Sequence, residues 1–429
     1  FANSSTRLKP TWLDSPCSTG EIKPFTSVNV EPFTDMNNTF NESNIETLSY
    51  STPPPLSFKG DTCLTKGTLS ECWLEECQHH LCTPHHRPAE FYMCNPGNRE
   101  WKITFLNNHF PAPAGDTSRP EVESSNTDGS GHVGWASSII RGFRSLNLKP
   151  GSWNVNPSHM NMLGDVIWTQ GCTGSREALN RLGWFQAHRG FIICGAVDVT
   201  FENRDDLADP QVGFFIAPST WVADALRGEK TFNYVEEARI RVLVSGVDVH
   251  FFKPSHEDYE KRRLGRPMAV VYVKNFAKPD LVSQVKNSLS ARDWDVQQIN
   301  YGSYNLAQFR DTLRLASAAV FLTATESQSI ALAEAWSMDV PTFVYEANPA
   351  HPFRFYNRIW LQANEAPYLN NLCGFRWNDI QHMVDTITAE RNSWPFRPRY
   401  YVLNTMTDAI SVWNVLRAAE CEWQRRYGK

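Results

Sequence analysis

Two glutamates eight positions apart, Glu326 and Glu334, lie in the segment Thr325-Glu326-Ser327-Gln328-Ser329-Ile330-Ala331-Leu332-Ala333-Glu334-Ala335. The apolar run 318–322 ends just before it, and the pattern from Ile330 to Trp336 reads as a helix. A strand, a small polar turn and a helix in that order leave unpaired N–H groups and the positive end of a helix dipole at the turn. A diphosphate is favoured there. Glu326 stands before the helix, where it can face a cleft, and Glu334 follows two turns along it. Carboxylates so separated accept hydrogen bonds from distant hydroxyls of one long ligand, a role that sugar and ribose hydroxyls fit. Ser327, Ser329 and Ile330 form the turn and the helix start beside them, and Ser329 can donate through its N–H and its hydroxyl. Lys274 and Lys278 follow the apolar run 268–273. They are either partners of a departing anion or solvated lysines. Tyr301, before a helical stretch, either stacks on a nucleobase or packs in a core.

The elements that must hold these residues alternate between short apolar runs and helical periods. Residues 101–106, 165–169, 190–195 and 212–217 read as strands, with helices over 136–143 and from Pro218 or Ser219 onward. A second series follows a charged stretch, 256–266, that is a linker or a surface helix. It comprises strand 268–273, helix 281–289, strand 295–299, helix 306–315, strand 318–322, helix 330–336 and strand 342–345, and a long final helix runs from Asp408 to about Arg426. Such alternation implies βαβ units and parallel sheets, whose ligands sit at the carboxyl ends of the strands. We therefore expect two doubly wound α/β domains in series.

The segment around Glu326 and Glu334 resembles the Glu-x7-Glu motif of retaining GT-B glycosyltransferases of the family 4 type, a group that includes sucrose synthase and bacterial mannosyltransferases. Pro218-Ser219-Thr220-Trp221-Val222, Gly246-Val247-Asp248 with Phe252-Lys253-Pro254, and Pro341-Thr342-Phe343-Val344 are similar to further family segments in the same order. The resemblance spans roughly residues 100 to 425. It implies that Glu326 contacts the donor sugar and Glu334 the nucleotide ribose. It also implies that Lys274 and Lys278 meet the phosphates, where the family has an Arg and a Lys. Gly usually stands at the position of Ser329, because it permits the closest backbone approach to phosphate. Gly129-Ser130-Gly131-His132-Val133-Gly134 is either the family's loop over phosphates or acceptor, with Gly131 and His132 in it, or a plain flexible connection. His109, at the end of the first strand, either orients acceptor or reacting sugar or anchors its own loop.

The implied activity is sugar transfer from a nucleotide sugar to a hydroxyl of a glycan or glycoconjugate with retention, with no required cofactor or metal. The alternatives are an inactive extracellular binding or structural protein on the same scaffold, and a nucleotide-sugar epimerase. The resemblance divides the chain into an acceptor domain over 98–258, a donor domain over 259–405, and a helix over 406–429 that crosses back to the first domain.

Composition bounds the rest. The chain has 429 residues, 41% apolar and 20% charged, which suits two or three domains and not bulk disorder. Net charge is 41 − 46 = −5, which disfavours a globally basic nucleic-acid binder. No apolar run approaches the roughly 20 residues of a membrane span. Residues 1–97 are rich in Ser, Thr, Pro and Asn and read as an irregular extension. Sequons start at Asn3, Asn37 and Asn41, and Cys17, Cys63, Cys72, Cys77, Cys82 and Cys94 cluster there. A first residue that is not Met reads as a lost signal peptide, a lost membrane anchor or a cut piece of a longer chain. The sequons and cysteines lead us to expect the Golgi lumen or the outside of the cell, with these cysteines in disulfides. The Cys72–His86 stretch can instead bind zinc, although its spacing matches no standard finger. Asp293-Trp294-Asp295 reads as a solvated turn between helix and strand. No nucleophile elbow or Walker pattern is present.

Overall fold

The computed structural model describes residues 102–107, 131–146, 152–155, 163–170, 179, 184, 190–195, 210–228, 239–274, 278–346, 353–355, 358–360, 364–389 and 394–427. His109, the three sequons and the six clustered cysteines lie outside the described residues. Among the described residues, two parallel sheets and a short antiparallel pair lie within one compact unit, Ser70–Lys429. The first half contains β1 (Ile103–Leu106), α1 (Gly131–Ser145), β2 (Trp153–Val155), β3 (Val166–Thr169), β4 (Phe191–Cys194), β5 (Val212–Ala217), α2 (Thr220–Gly228) and β6 (Ile240–Val242). The strands pair in parallel in the order β2-β1-β3-β4-β5-β6.

The second half contains α3 (His256–Leu264), β7 (Met268–Lys274), α4 (Pro279–Ser290), β8 (Asp295–Asn300), α5 (Leu306–Leu315), β9 (Ala318–Thr323), α6 (Ile330–Ser337) and β10 (Thr342–Tyr345). It continues with a short antiparallel pair, β11 (Phe353–Phe355) and β12 (Arg358–Trp360), then β13 (Gly374–Trp377), α7 (Ile380–Ala389) and α8 (Pro398–Thr405). Its parallel order is β13-β10-β9-β7-β8. The last helix is α9 (Asp408–Tyr427). This is the architecture of two Rossmann-like α/β halves.

Parallel sheets need cover on both faces, which explains why β3, β4, β5 and β9 are apolar at nearly every position and wholly buried. One face of the first sheet packs Phe105, Trp168 and Phe214 against Ile139, Ile140 and Phe143 of α1. Val412, Val415, Leu416 and Trp423 of α9 fill the same core. Trp221 and Val222 of α2 cover the other face. In the second sheet, Val270, Tyr272 and Phe321 pack on Phe309, Leu332 and Trp336, while Val285, Leu289, Met383 and Ile387 close the opposite face. Helix α5 is started by a capping box in which Asn305 and Gln308 satisfy each other's backbone N–H groups.

Both sheets reverse their strand order at a switch point: between β1 and β3 in the first, between β7 and β9 in the second. Ligands bind outside the carboxyl ends of strands at such points. Lys274 ends β7 opposite Thr323 of β9, so the chain leaving β9 toward Glu326 emerges beside it.

The structure corrects one local expectation. Gly131 and His132 open helix α1 rather than a loop. Glycine is a poor helix former, but burial of Trp135, Ala136, Ile139 and Ile140 outweighs that preference. The Asp293–Asp295 turn is held by Arg266, whose guanidinium lies 3.0 Å from Asp295, with Trp294 buried beneath it.

Candidate active site between the two sheets

A cleft of about 210 Å³ opens between the start of α1 and the carboxyl edge of the second sheet. Gly131, His132 and Trp135 line one lip, and Lys274, Tyr301 and Tyr304 line the other. Glu326, Ser327, Gln328, Ser329, Ile330 and Glu334 also line it, so residues 327–330 and both motif carboxylates meet in one space. Lys278 is not among them: its ammonium lies 5.5 Å from the Tyr345 ring centre and 3.5 Å from that hydroxyl, near the end of β10. The two lysines, four residues apart, thus serve different places.

Glu326 is 5% exposed. Its Oε2 accepts a 2.9 Å hydrogen bond from Nζ of Lys274, which also stands 4.6 Å from the Tyr301 ring centre. Its backbone is pinned on both sides. The N–H of Glu326 donates to the carbonyl of Asn364 at 2.9 Å, and its own carbonyl accepts from Nε1 of Trp221 at 2.9 Å. The Trp221 bond comes from the first half of the chain. Arg376 supports the loop behind Glu326, donating to Asn364 at 2.7 Å and to the Ala366 carbonyl at 2.8 Å, and it lies 3.2 Å from Glu365. Burial raises the Glu326 carboxyl above its ordinary value, and the Lys274 ammonium holds part of that rise back.

Glu334 is also buried, and burial pushes its carboxyl up to about 8. The opposing influence is the positive field of Arg141 on α1. Arg141 is itself committed to Asp408, at 2.7 Å, and stands 3.5 Å from Asp248. A small void of about 20 Å³ lies between Ser137, Arg141, Asp248 and Glu334. It has room for about one water beside the Ser137 hydroxyl, which has no partner among the described residues. Tyr272 and Tyr304 complete the wall near Glu334, with hydroxyls 3.2 Å apart.

The turn before α6 is built for close approach. Ser329 is its N-cap at φ 66°, ψ 72°, a left-handed conformation that favours glycine, and its side chain caps nothing. The buried Ser329 hydroxyl has no partner among the described residues. The first N–H groups of α6 are therefore left for a ligand. Gln328 turns the other way and locks onto the segment joining the two halves. Its Oε1 accepts from the Ser245 N–H at 2.8 Å, and its Nε2 donates to the Ser245 carbonyl at 3.1 Å. Opposite, Gly134 faces Ile330, whose Cδ1 would lie 3.3 Å from an added Cβ, so α1 and α6 meet there with little room.

Trp221, Gln328 and Arg141 were not singled out from their residue types. Each acts on a segment distant in sequence, and only the order Pro218-Ser219-Thr220-Trp221 marked one of them. Among the described residues no group of three or more His, Cys, Asp or Glu could hold a metal ion, and no helix is long and apolar enough to cross a membrane.

No family model matches the chain, and no curated protein does. Among solved structures, it aligns with the catalytic domain of starch synthase IV from Arabidopsis thaliana bound to ADP and acarbose. That alignment has 9% identity, 70% of this chain, 78% of that one and a TM-score of 0.40. It aligns with sucrose-phosphate synthase from Thermosynechococcus elongatus at 11% identity, over 76% of this chain and 98% of that one, with a TM-score of 0.42. A lipopolysaccharide outer core galactosyltransferase in its apo form aligns at 11% identity over 74% and 98%, with a TM-score of 0.39.

Proposed function

We propose that the chain is a retaining glycosyltransferase that takes its sugar from a nucleotide-sugar donor and passes it to a hydroxyl of a glycan or glycoconjugate. One observation carries this reading: two buried carboxylates, Glu326 and Glu334, share a cleft with an uncapped helix N-terminus and one ammonium at a switch point. The diphosphate lies against the first turn of α6 and Lys274, which stabilise the charge that grows as the nucleotide departs. Glu326 accepts hydrogen bonds from the sugar and Glu334 from the ribose. The acceptor enters from the α1 side, past His132 and Trp135. The compartment is the lumen of the secretory pathway or the extracellular space. The disulfide-bonded state of Cys194 and the three sequons support an oxidising, glycosylating environment.

The placement of Lys278 away from the cleft favours a second reading, a sugar-binding scaffold without turnover. A thermal-shift titration against UDP-, GDP-, ADP- and CMP-sugars separates the two. A donor at a hundred times its dissociation constant stabilises the protein by about 2.7 kcal/mol. A selective shift from one nucleotide class supports the transferase, and no shift from any nucleotide supports the scaffold.

A further inference from the structure

The ion pair between Lys274 and Glu326 occupies two of the groups that the proposed reaction needs. Lys274 is the only lysine or arginine among the described residues that line the cleft, against two carboxylates. While Glu326 holds it at 2.9 Å, a diphosphate meets no uncompensated cation there. The same contact ties up one oxygen of the carboxylate meant for the sugar.

We propose that Lys274 and Glu326 form an exchange gate. The anion of the donor takes Lys274 from Glu326, the freed carboxylate turns to the sugar hydroxyls, and loss of the sugar after transfer lets the pair re-form and expel the nucleoside diphosphate. This regulation rests on the reading of the cleft as a nucleotide-sugar site.

Three features make the exchange local. The backbone of Glu326 is fixed by Asn364 and by Trp221, so only its side chain has to move. Lys274 is 23% exposed and rests on the face of Tyr301 at the cleft rim, which leaves its flexible stem free to swing toward the start of α6. Glu326 is 5% exposed, so once Lys274 leaves it, the carboxylate is buried without its cation until hydroxyls reach it. An intact nucleotide sugar supplies both the anion and the hydroxyls. A nucleoside diphosphate supplies only the anion, so it must break the pair without satisfying Glu326. The gate therefore discriminates donor from product by the occupancy of one carboxylate, and it speeds release of the product.

The test is calorimetric titration of the full chain with inorganic pyrophosphate, which carries the anion without base or sugar. Removing the competing charge by Glu326→Gln is expected to tighten pyrophosphate binding about tenfold. Glu326→Ala is expected to give the same gain, so the result does not hang on the folding of one variant. Adding Lys274→Gln to either variant must abolish the gain. Equal affinity of the wild-type and Glu326 variants, absence of binding by all of them, or a gain that survives Lys274→Gln would overturn the gate. Parallel titrations with UDP, ADP, UDP-glucose and ADP-glucose keep the two claims apart. Both together predict that Glu326→Gln tightens the free nucleotide and weakens its sugar conjugate. A pyrophosphate gain with no nucleotide binding to any variant upholds the Lys274–Glu326 exchange and removes the glycosyltransferase reading.

Discussion

At the scale of single residues, the two motif carboxylates are not equivalent. Glu326 has a cation at 2.9 Å, whereas among the described residues Glu334 has only the field of Arg141, which is already shared with Asp408 and Asp248. Burial accordingly drives the Glu334 carboxyl from 4.5 to about 8. The folded protein then binds a proton that the unfolded chain releases. This contribution to stability is complete below about pH 4.5 and is lost as pH rises toward 8. Glu334→Gln keeps the size of the side chain and removes its titration. We expect the variant and the wild type to melt together near pH 5. Near pH 8.5 the variant should gain on the order of 2–4 kcal/mol over wild type. Melting curves across this range check it; a constant difference from pH 5 to 8.5 would contradict it. In nucleotide titrations the same variant should lose affinity, because an amide offers one acceptor oxygen where the carboxylate offers two.

At the scale of elements, the site depends on where α6 begins and on which segments its first turn touches. Ser329 holds a left-handed conformation there at φ 66°. A residue with a Cβ pays about 1–2 kcal/mol for this, less the roughly 0.5–1 kcal/mol that glycine loses in backbone entropy. Ser329→Gly is therefore expected to raise the melting temperature by about 1–3 °C, and a lowered melting temperature would contradict the strain. Much of this half was legible in the sequence. The runs that became β7, β9 and β10 are continuous and apolar, and the helical periods of α5 and α6 between them are clear. The strand–turn–helix order around Glu326 could be read for the same reason. Other elements gave no such signal. The strands β2 and β6 are three residues long, and β13, Gly374–Trp377, carries an arginine at Arg376. Helices α7 and α8 went unanticipated, and the glycines of α1 masked its first turn. The contacts of Trp221, Gln328 and Arg141 were illegible because their partners, Glu326, Ser245 and Asp408, lie 105, 83 and 267 positions away. No local pattern records such a contact.

At the scale of the whole molecule, the cleft lies between the start of α1, packed on the first sheet, and the switch point of the second sheet, and several contacts hold the two halves together. Trp221 reaches the Glu326 carbonyl, Tyr368 donates to the Pro218 carbonyl at 2.7 Å, and Gln328 grips the connecting segment at Ser245. Helix α9 follows the second half yet fills the core of the first with Val412, Leu416 and Trp423, and Ser411 at its start donates to the Val244 carbonyl at 2.6 Å. Asp408 at the head of the same helix receives Arg141 of α1. A ligand bridging Glu326, Glu334 and the α1 lip, as proposed, would be held by parts of the chain that the fold brings together from distant sequence, which suits a reaction that depends on positioning and on exclusion of water. The central claim, retaining transfer from a nucleotide sugar through Glu326, is tested most directly by following donor breakdown by nuclear magnetic resonance and identifying the first anomer released. Water serves as the acceptor, so no glycan needs to be known. With an α-linked donor chosen from the thermal-shift panel, the account predicts the α sugar as the first product and none above background from Glu326→Gln. Release of the β sugar first, or equal release by the Glu326→Gln variant, would contradict it.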